Sequence, residues 1–165
     1  IISWNPKTGA IKVLKPVELE TSALLILPIL GAASAGSAAM VAKESLEGYL
    51  KVSKSILGKV NVKDLFVVRV SGDSLNNSKD IPGGPAEDGD YAVIDSKYKN
   101  YKNGDYVLSV IDDHANLKRF YREGNQVILI SESRSEIPPI YIDPQDFPDY
   151  MINGKIMRIL KNIKK

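Results

Sequence analysis

Apolar positions in this chain come in short runs, not at the three-and-four spacing of amphipathic helices. LFVVRV (65–70), YAVID (91–95), DYVLSVI (105–111), ANLKRFY (115–121), QVILI (126–130), PIYID (139–143) and KIMRIL (155–160) are rich in β-branched and aromatic residues. Between them stand Ser71–Gly72, the DGD turn at 88–90, Asn103–Gly104, Asp112–Asp113 and Gly124–Asn125. Gly, Asn and Asp accept the backbone angles of tight turns, so strand-like runs punctuated this way predict consecutive hairpins and a mostly β domain. Strands do not alternate with helical stretches, which argues against a doubly wound sheet. The lack of long amphipathic runs also removes a helix-turn-helix reader from these residues.

The first third of the chain reads differently. Residues 1–22 carry a turn signal at Asn5, Pro6, Thr8 and Gly9 followed by IKVL, and read as an extended or loosely structured lead-in. LLILPIL (24–30) is strongly apolar and runs into GAASAGSAA, whose small side chains have little to bury and leave the backbone accessible, as in an extended or flexible linker. Residues 40–52 are expected to form a short helix or an irregular stretch ending near Gly48. Thr21 to Ala42 is free of charge, but Pro28, Gly31 and Gly36 interrupt it and Ser34 and Ser37 dilute it. Its apolar part is too short to span a bilayer and no basic cluster precedes it, so no membrane partner is expected. The expected organisation is a lead-in over 1–25 and one domain over 26–165.

A chain of 165 residues with 44% hydrophobic and 25% charged content is that of an ordinary single globular domain. A net charge of +2 is too small to mark a nucleic-acid binder. Lys161, Lys164 and Lys165 read as a solvated tail. The absence of cysteine rules out a thiolate nucleophile, a disulfide or a cysteine-ligated zinc site, and fits a reducing cytoplasm. The one histidine, His114, falls in the DDHAN turn and reads as an exposed turn residue. No Gly-rich phosphate loop is present, and no cofactor is expected. Asp73, Asp80, Glu87, Asp88 and Asp90 do not have the spacing of an EF-hand, because Pro82 and Pro85 interrupt them; they read as a solvated loop, with a metal site as the weaker alternative.

Two residues have the right types for nucleophilic chemistry. Ser74, in RVSGDSL, follows a buried run, and Gly72 permits a sharp turn that would present the hydroxyl at the strand's end. Such a turn aims consecutive backbone N–H groups one way, so those of Asp73 and Ser74 could hold an oxyanion. Lys118, in NLKRF, alternates with Leu117 and Arg119 and shares a face with Phe120. Burial disfavours the ammonium, and a neutral lysine can take the proton of a serine hydroxyl. Taken alone, each has a plainer reading: a turn serine and a solvated strand lysine.

Five segments in order change that balance. LPILGAASAG (27–36), EGYLKV (47–52), LFVVRVSGDSL (65–75), EDGDYAVIDS (87–96) and KNGDYVLSVIDDHANLKRFYREGNQVILISES (102–133) resemble the LexA/UmuD family of self-cleaving serine peptidases, and the last strands through KIMRILKN are similar too. The resemblance covers roughly residues 26–162. It departs from the family in a longer loop between Ser74 and Asp90, a slightly longer link before LFVVRV, and a lead-in over 1–22 without a counterpart.

The resemblance implies a mostly β LexA/UmuD-like peptidase fold of hairpins and small twisted sheets. It implies Ser74 as nucleophile, Lys118 as general base, Ala35–Gly36 in the segment 27–37 as the chain's own scissile bond, and the backbone N–H groups of Asp73 and Ser74 as oxyanion donors. It further implies a homodimer, for which the late apolar strand around Ile156 to Leu160 is the expected surface, and an activated RecA filament as a partner on DNA damage. DNA would be contacted only through an upstream domain that these residues do not include. Two roles fit: the self-cleavage domain of a transcriptional repressor, favoured by LPILGAASAG, and a UmuD-like polymerase accessory protein. A binding module that kept the fold without the activity is disfavoured by the presence of both Ser74 and Lys118. A membrane signal peptidase would need an anchor.

Overall fold

The computed structural model describes residues 2–4, 11–13, 23–31, 46–111, 114–146 and 152–163. In the lead-in, β1 (Ile2–Trp4) and β2 (Ile11–Val13) pair antiparallel, so the stretch read as loose contains regular pairing. The remaining strands are β3 (Leu24–Leu30), β4 (Leu46–Ser53), β5 (Leu65–Arg69), β6 (Tyr91–Asp95), β7 (Tyr106–Ile111), β8 (His114–Glu123), β9 (Gln126–Ile130), β10 (Ile140–Ile142) and β11 (Ile152–Leu160). They join in the order β10-β9-β8-β7-β11-β6-β5-β3-β4. A four-residue helix, α1 (Lys54–Leu57), follows β4. The fold is mostly β, as the hairpin pattern requires, and among the described residues no helix is long and apolar enough to cross a membrane.

The long strand β11 makes two smaller sheets into one. Its beginning pairs with β7 (Ile152↔Ser109, Gly154↔Leu108) and its end with β6 (Ile156↔Ile94 through Leu160↔Tyr91), with Lys155 belonging to both ladders. Register shifts between Ile152 and Gly154 and between Ile156 and Arg158 bend the strand at the crossing, as bulges do. Gly154 lies at that crossing because a Cβ there would stand 2.5 Å from Ile94 Cγ2 and 2.6 Å from the Asp95 carbonyl oxygen. All pairings in this sheet are antiparallel except β3 with β5, which run parallel at Ile29↔Val67 and Leu30↔Val68.

Three apolar clusters form where these strands face one another. One gathers Leu30, Val68, Val70, Leu75, Leu108, Leu117 and Ile156; the second gathers Leu25, Leu27, Val52, Val67 and Val93; the third gathers Val107, Phe120, Val127, Leu129 and Ile152. β5 and β6 contribute side chains to both the first and the second, so they are apolar on both faces and read as continuous runs in the sequence.

Two expectations are corrected. Residues 46–53 form a strand rather than a helix, because Leu50 and Val52 alternate onto the cluster beneath β3. In the late strand, Ile156 and Ile159 are each 2% exposed and belong to the first cluster, while Met157, Arg158 and Leu160 are half-buried. Lys161 is not part of a solvated tail; its Nζ hydrogen-bonds Asp90 Oδ2 at 3.0 Å and the Pro85 carbonyl.

Candidate active site

Chain direction places the nucleophile. β5 is buried through Val68 and emerges at Arg69, after which the backbone must turn. Gly72, at φ 85°, supplies that turn in a region that side chains rarely enter. The acidic loop braces it from behind: Asp88 Oδ1 accepts the Gly72 N–H at 2.8 Å, and the Gly89 N–H reaches the Val70 carbonyl at 2.8 Å. The loop is therefore not simply solvated. Asp90, 5% exposed, accepts N–H groups of Glu87 and Asn162 together with the Lys161 ammonium. Burial alone would raise its carboxyl pKa, but those donors outweigh it and the net shift is downward. Among the described residues no group of His, Asp and Glu is arranged to hold a metal ion.

After Gly72 the chain makes a turn closed by the Asn76 N–H on the Asp73 carbonyl (3.2 Å), anchored by Leu75 at 1% exposure. Ser74 is held half-buried between them.

Lys118 comes from the middle of β8, opposite Val107 of β7. It is 5% exposed, with Leu117 in one apolar cluster and Phe120 in another. Its Nζ lies 3.4 Å from Ser74 Oγ and 2.6 Å from Ser131 Oγ. Burial pushes the lysine below its ordinary pKa, while the Asp73 carboxylate opposes this. The Asp73 carboxyl is itself held low, chiefly by the Ser135 hydroxyl at 2.6 Å. A serine hydroxyl thus faces an amine biased toward its neutral form, which is the arrangement a hydroxyl nucleophile and its base require. Beside Ser74 is a cavity of about 60 Å³ bordered by Val70, Leu75, Leu108, Ala115 and Leu117.

The family described as Peptidase S24-like matches residues 28–157. The chain belongs to that family. It is 32% identical over 143 residues to the LexA repressor of Myxococcus xanthus, covering 87% of this chain and 60% of that protein. It is 30% identical over 138 residues to the LexA repressor of Clostridium kluyveri (84% and 60%) and 34% identical over 136 residues to that of Clostridium botulinum (82% and 62%). The chain spans about six tenths of the length of these curated relatives.

Within this Peptidase S24-like domain, the two residues singled out for catalysis, far apart in sequence, meet. Ala35 and Gly36 lie outside the described residues. Sequence reasoning missed the segment after β9. The Glu132 N–H donates to the Ser74 carbonyl (2.8 Å), the Asn77 N–H to the Glu132 carbonyl (2.8 Å), and the Arg134 N–H to Asn76 Oδ1 (2.8 Å), so residues 131–135 strap the nucleophile turn to the strand pair that carries the lysine. A signal was available. The Gly124–Asn125 turn sets Glu123 opposite Gln126 and Arg119 opposite Ile130, and one more step in that register sets Lys118 opposite Ser131.

Proposed function

We propose that this chain is the self-cleaving serine peptidase domain of a LexA-like repressor, acting on its own Ala35–Gly36 bond. The observation that carries the reading is the approach of a buried lysine amine to the hydroxyl of a turn serine, 3.4 Å apart. Ser74 Oγ attacks the Ala35 carbonyl carbon while Lys118 Nζ takes the hydroxyl proton. The oxyanion is received by the backbone N–H groups of Asp73 and Ser74. Collapse breaks the bond to Gly36, whose nitrogen takes the proton from Lys118, and water then hydrolyses the ester between Ala35 and Ser74.

Strand direction supports delivery of that bond from within the same chain. β3 runs parallel to β5 with Leu30 level with Val68. The small side chains of Ala35 and Gly36 suit the confined space beside Ser74, and a tethered substrate has a high effective concentration.

In the repressor, the cut separates this domain from a DNA-binding region, and an activated RecA filament favours the cleavable pose. The domain pairs as a homodimer. The test is mass spectrometry after incubation at mildly alkaline pH, with and without activated RecA. A fragment ending at Ala35 and one beginning at Gly36 are expected, and neither from Ser74→Ala. An intact chain under both conditions would sink the reading, and a cut elsewhere would move the bond.

A further inference from the structure

We propose that Ser131 is a positioning residue for Lys118, a hydroxyl that sets where the lysine amine points and thereby makes it an effective base toward Ser74. The inference rests on the self-cleavage reading and adds to it a residue outside the serine–lysine pair.

The geometry is that of a cross-strand pair. β8 and β9 pair with Arg119 opposite Ile130, so the next step sets Lys118 opposite Ser131, just beyond the last residue of β9. Side chains directly opposite one another on an antiparallel pair are close neighbours. Here they make the shorter of the two contacts of the lysine amine: 2.6 Å to Ser131 Oγ against 3.4 Å to Ser74 Oγ. The residue that follows, Glu132, donates its backbone N–H to the Ser74 carbonyl. One segment therefore holds the base through a side chain and the nucleophile through the backbone.

The need for such a group follows from lysine chemistry. The amine ends a chain of four rotatable bonds, and its neutral form has two N–H bonds and one lone pair. Only the lone pair can take the Ser74 proton. An acceptor that engages one N–H leaves the lone pair with a restricted set of directions, and Ser74 lies within reach. β7 and β9 offer Lys118 the apolar Val107 and Ile130 at the neighbouring ladder positions. The charged group whose field reaches it is the Asp73 carboxylate, from the nucleophile turn; Arg119 and Glu132 are paired with each other at 2.5 Å.

Two effects with opposite signatures follow. A hydroxyl that accepts from the lysine also stabilises the ammonium, so its loss lowers the pKa of Lys118. Its loss also frees the amine to swing, which slows proton transfer from Ser74. Ser131→Ala should therefore cut the plateau rate of self-cleavage about tenfold or more while moving the rise of the rate to lower pH by about one unit. Ser131→Thr, which keeps the hydroxyl, should restore both; Ser131→Val, which has the shape of threonine without the hydroxyl, should not.

The experiment measures the pH–rate profile of self-cleavage for wild type and these three variants. In parallel, the titration of Lys118 is followed by NMR of ¹³Cε-labelled lysine, and thermal melts confirm that each variant is folded. A slower plateau with an acid-shifted midpoint in Ser131→Ala and Ser131→Val, but not in Ser131→Thr, supports the assignment. Unchanged rate and midpoint in Ser131→Ala overturn it. So does a faster rate, which would mean that Ser131 competes with Ser74 for the lone pair. A rate loss shared equally by Thr and Val with no change of midpoint assigns Ser131 to packing and also overturns it. If wild type is not cut at any pH, the peptidase reading fails on its own; the lysine titration in Ser131→Ala still decides whether this hydroxyl governs Lys118.

Discussion

At the scale of single residues, the proposed mechanism depends on one amine being uncharged. Burial lowers the pKa of Lys118 and the Asp73 carboxylate raises it. The neutral form dominates above the folded pKa, so the rate of self-cleavage should rise with pH and level off once the lysine has titrated, below the ordinary lysine value of ~10.4. Lys118→Arg should abolish cleavage at every pH, because a guanidinium does not deprotonate in a protein; an arginine variant that cuts at near wild-type rate would remove the general-base role. Asp73→Asn takes away the charge that favours the ammonium. Its rate profile should begin to rise at lower pH than that of wild type, and an unmoved profile would show that this carboxylate does not act on the base.

Elements make the next set of demands. β11 connects the two halves of the sheet at a point where nothing larger than glycine fits against Ile94 and Asp95. Gly154→Ala must push one half from the other, and should cost about 1–3 kcal/mol of stability by chemical denaturation. The turn that presents Ser74 is held by the loop ending at Asp90, whose buried carboxylate accepts two backbone N–H groups and the Lys161 ammonium. Asp90→Asn loses the charge and one acceptor, with an expected cost of about 1–3 kcal/mol at neutral pH. Since the folded pKa of Asp90 lies below its unfolded one, its contribution is fully present above the unfolded value of ~3.9 and is lost as pH falls through the folded value. The stability gap between wild type and Asp90→Asn should therefore narrow in acid; a constant gap down to low pH would show that the charge is not what stabilises the latch.

At the scale of the whole molecule, the proposed reading puts substrate and site on one chain. β3 leads toward Ala35 while lying parallel to the strand that leads to Ser74. A bond delivered this way is cut by its own chain, so the first-order rate constant of cleavage should stay unchanged over a hundredfold dilution; a rate falling in proportion to concentration would mean that chains cut one another.

Much of this was present in the sequence, for reasons that can be named. Strands β6 and β9 coincide with the runs YAVID and QVILI because alternation, β-branching and flanking turns are local properties of the chain. Ser74 and Lys118 were found through segments that keep their order along the chain. What depends on distant parts of the chain was not legible. Residues 40–52 read as helix or irregular because β3, the partner of β4, is separated from it in the sequence. Lys161 and Asp90 read as solvated because their attraction depends on the end of β11 passing the loop after Ser74. Ser131 stood one register step beyond a strand end, opposite a lysine thirteen residues away, and the folded sheet brings its hydroxyl and that of Ser74 to the same amine. Periodicity and turn chemistry act between near neighbours and settle which segments become strands; burial, pairing order and the pKa of an amine are set by what the folded chain places around them.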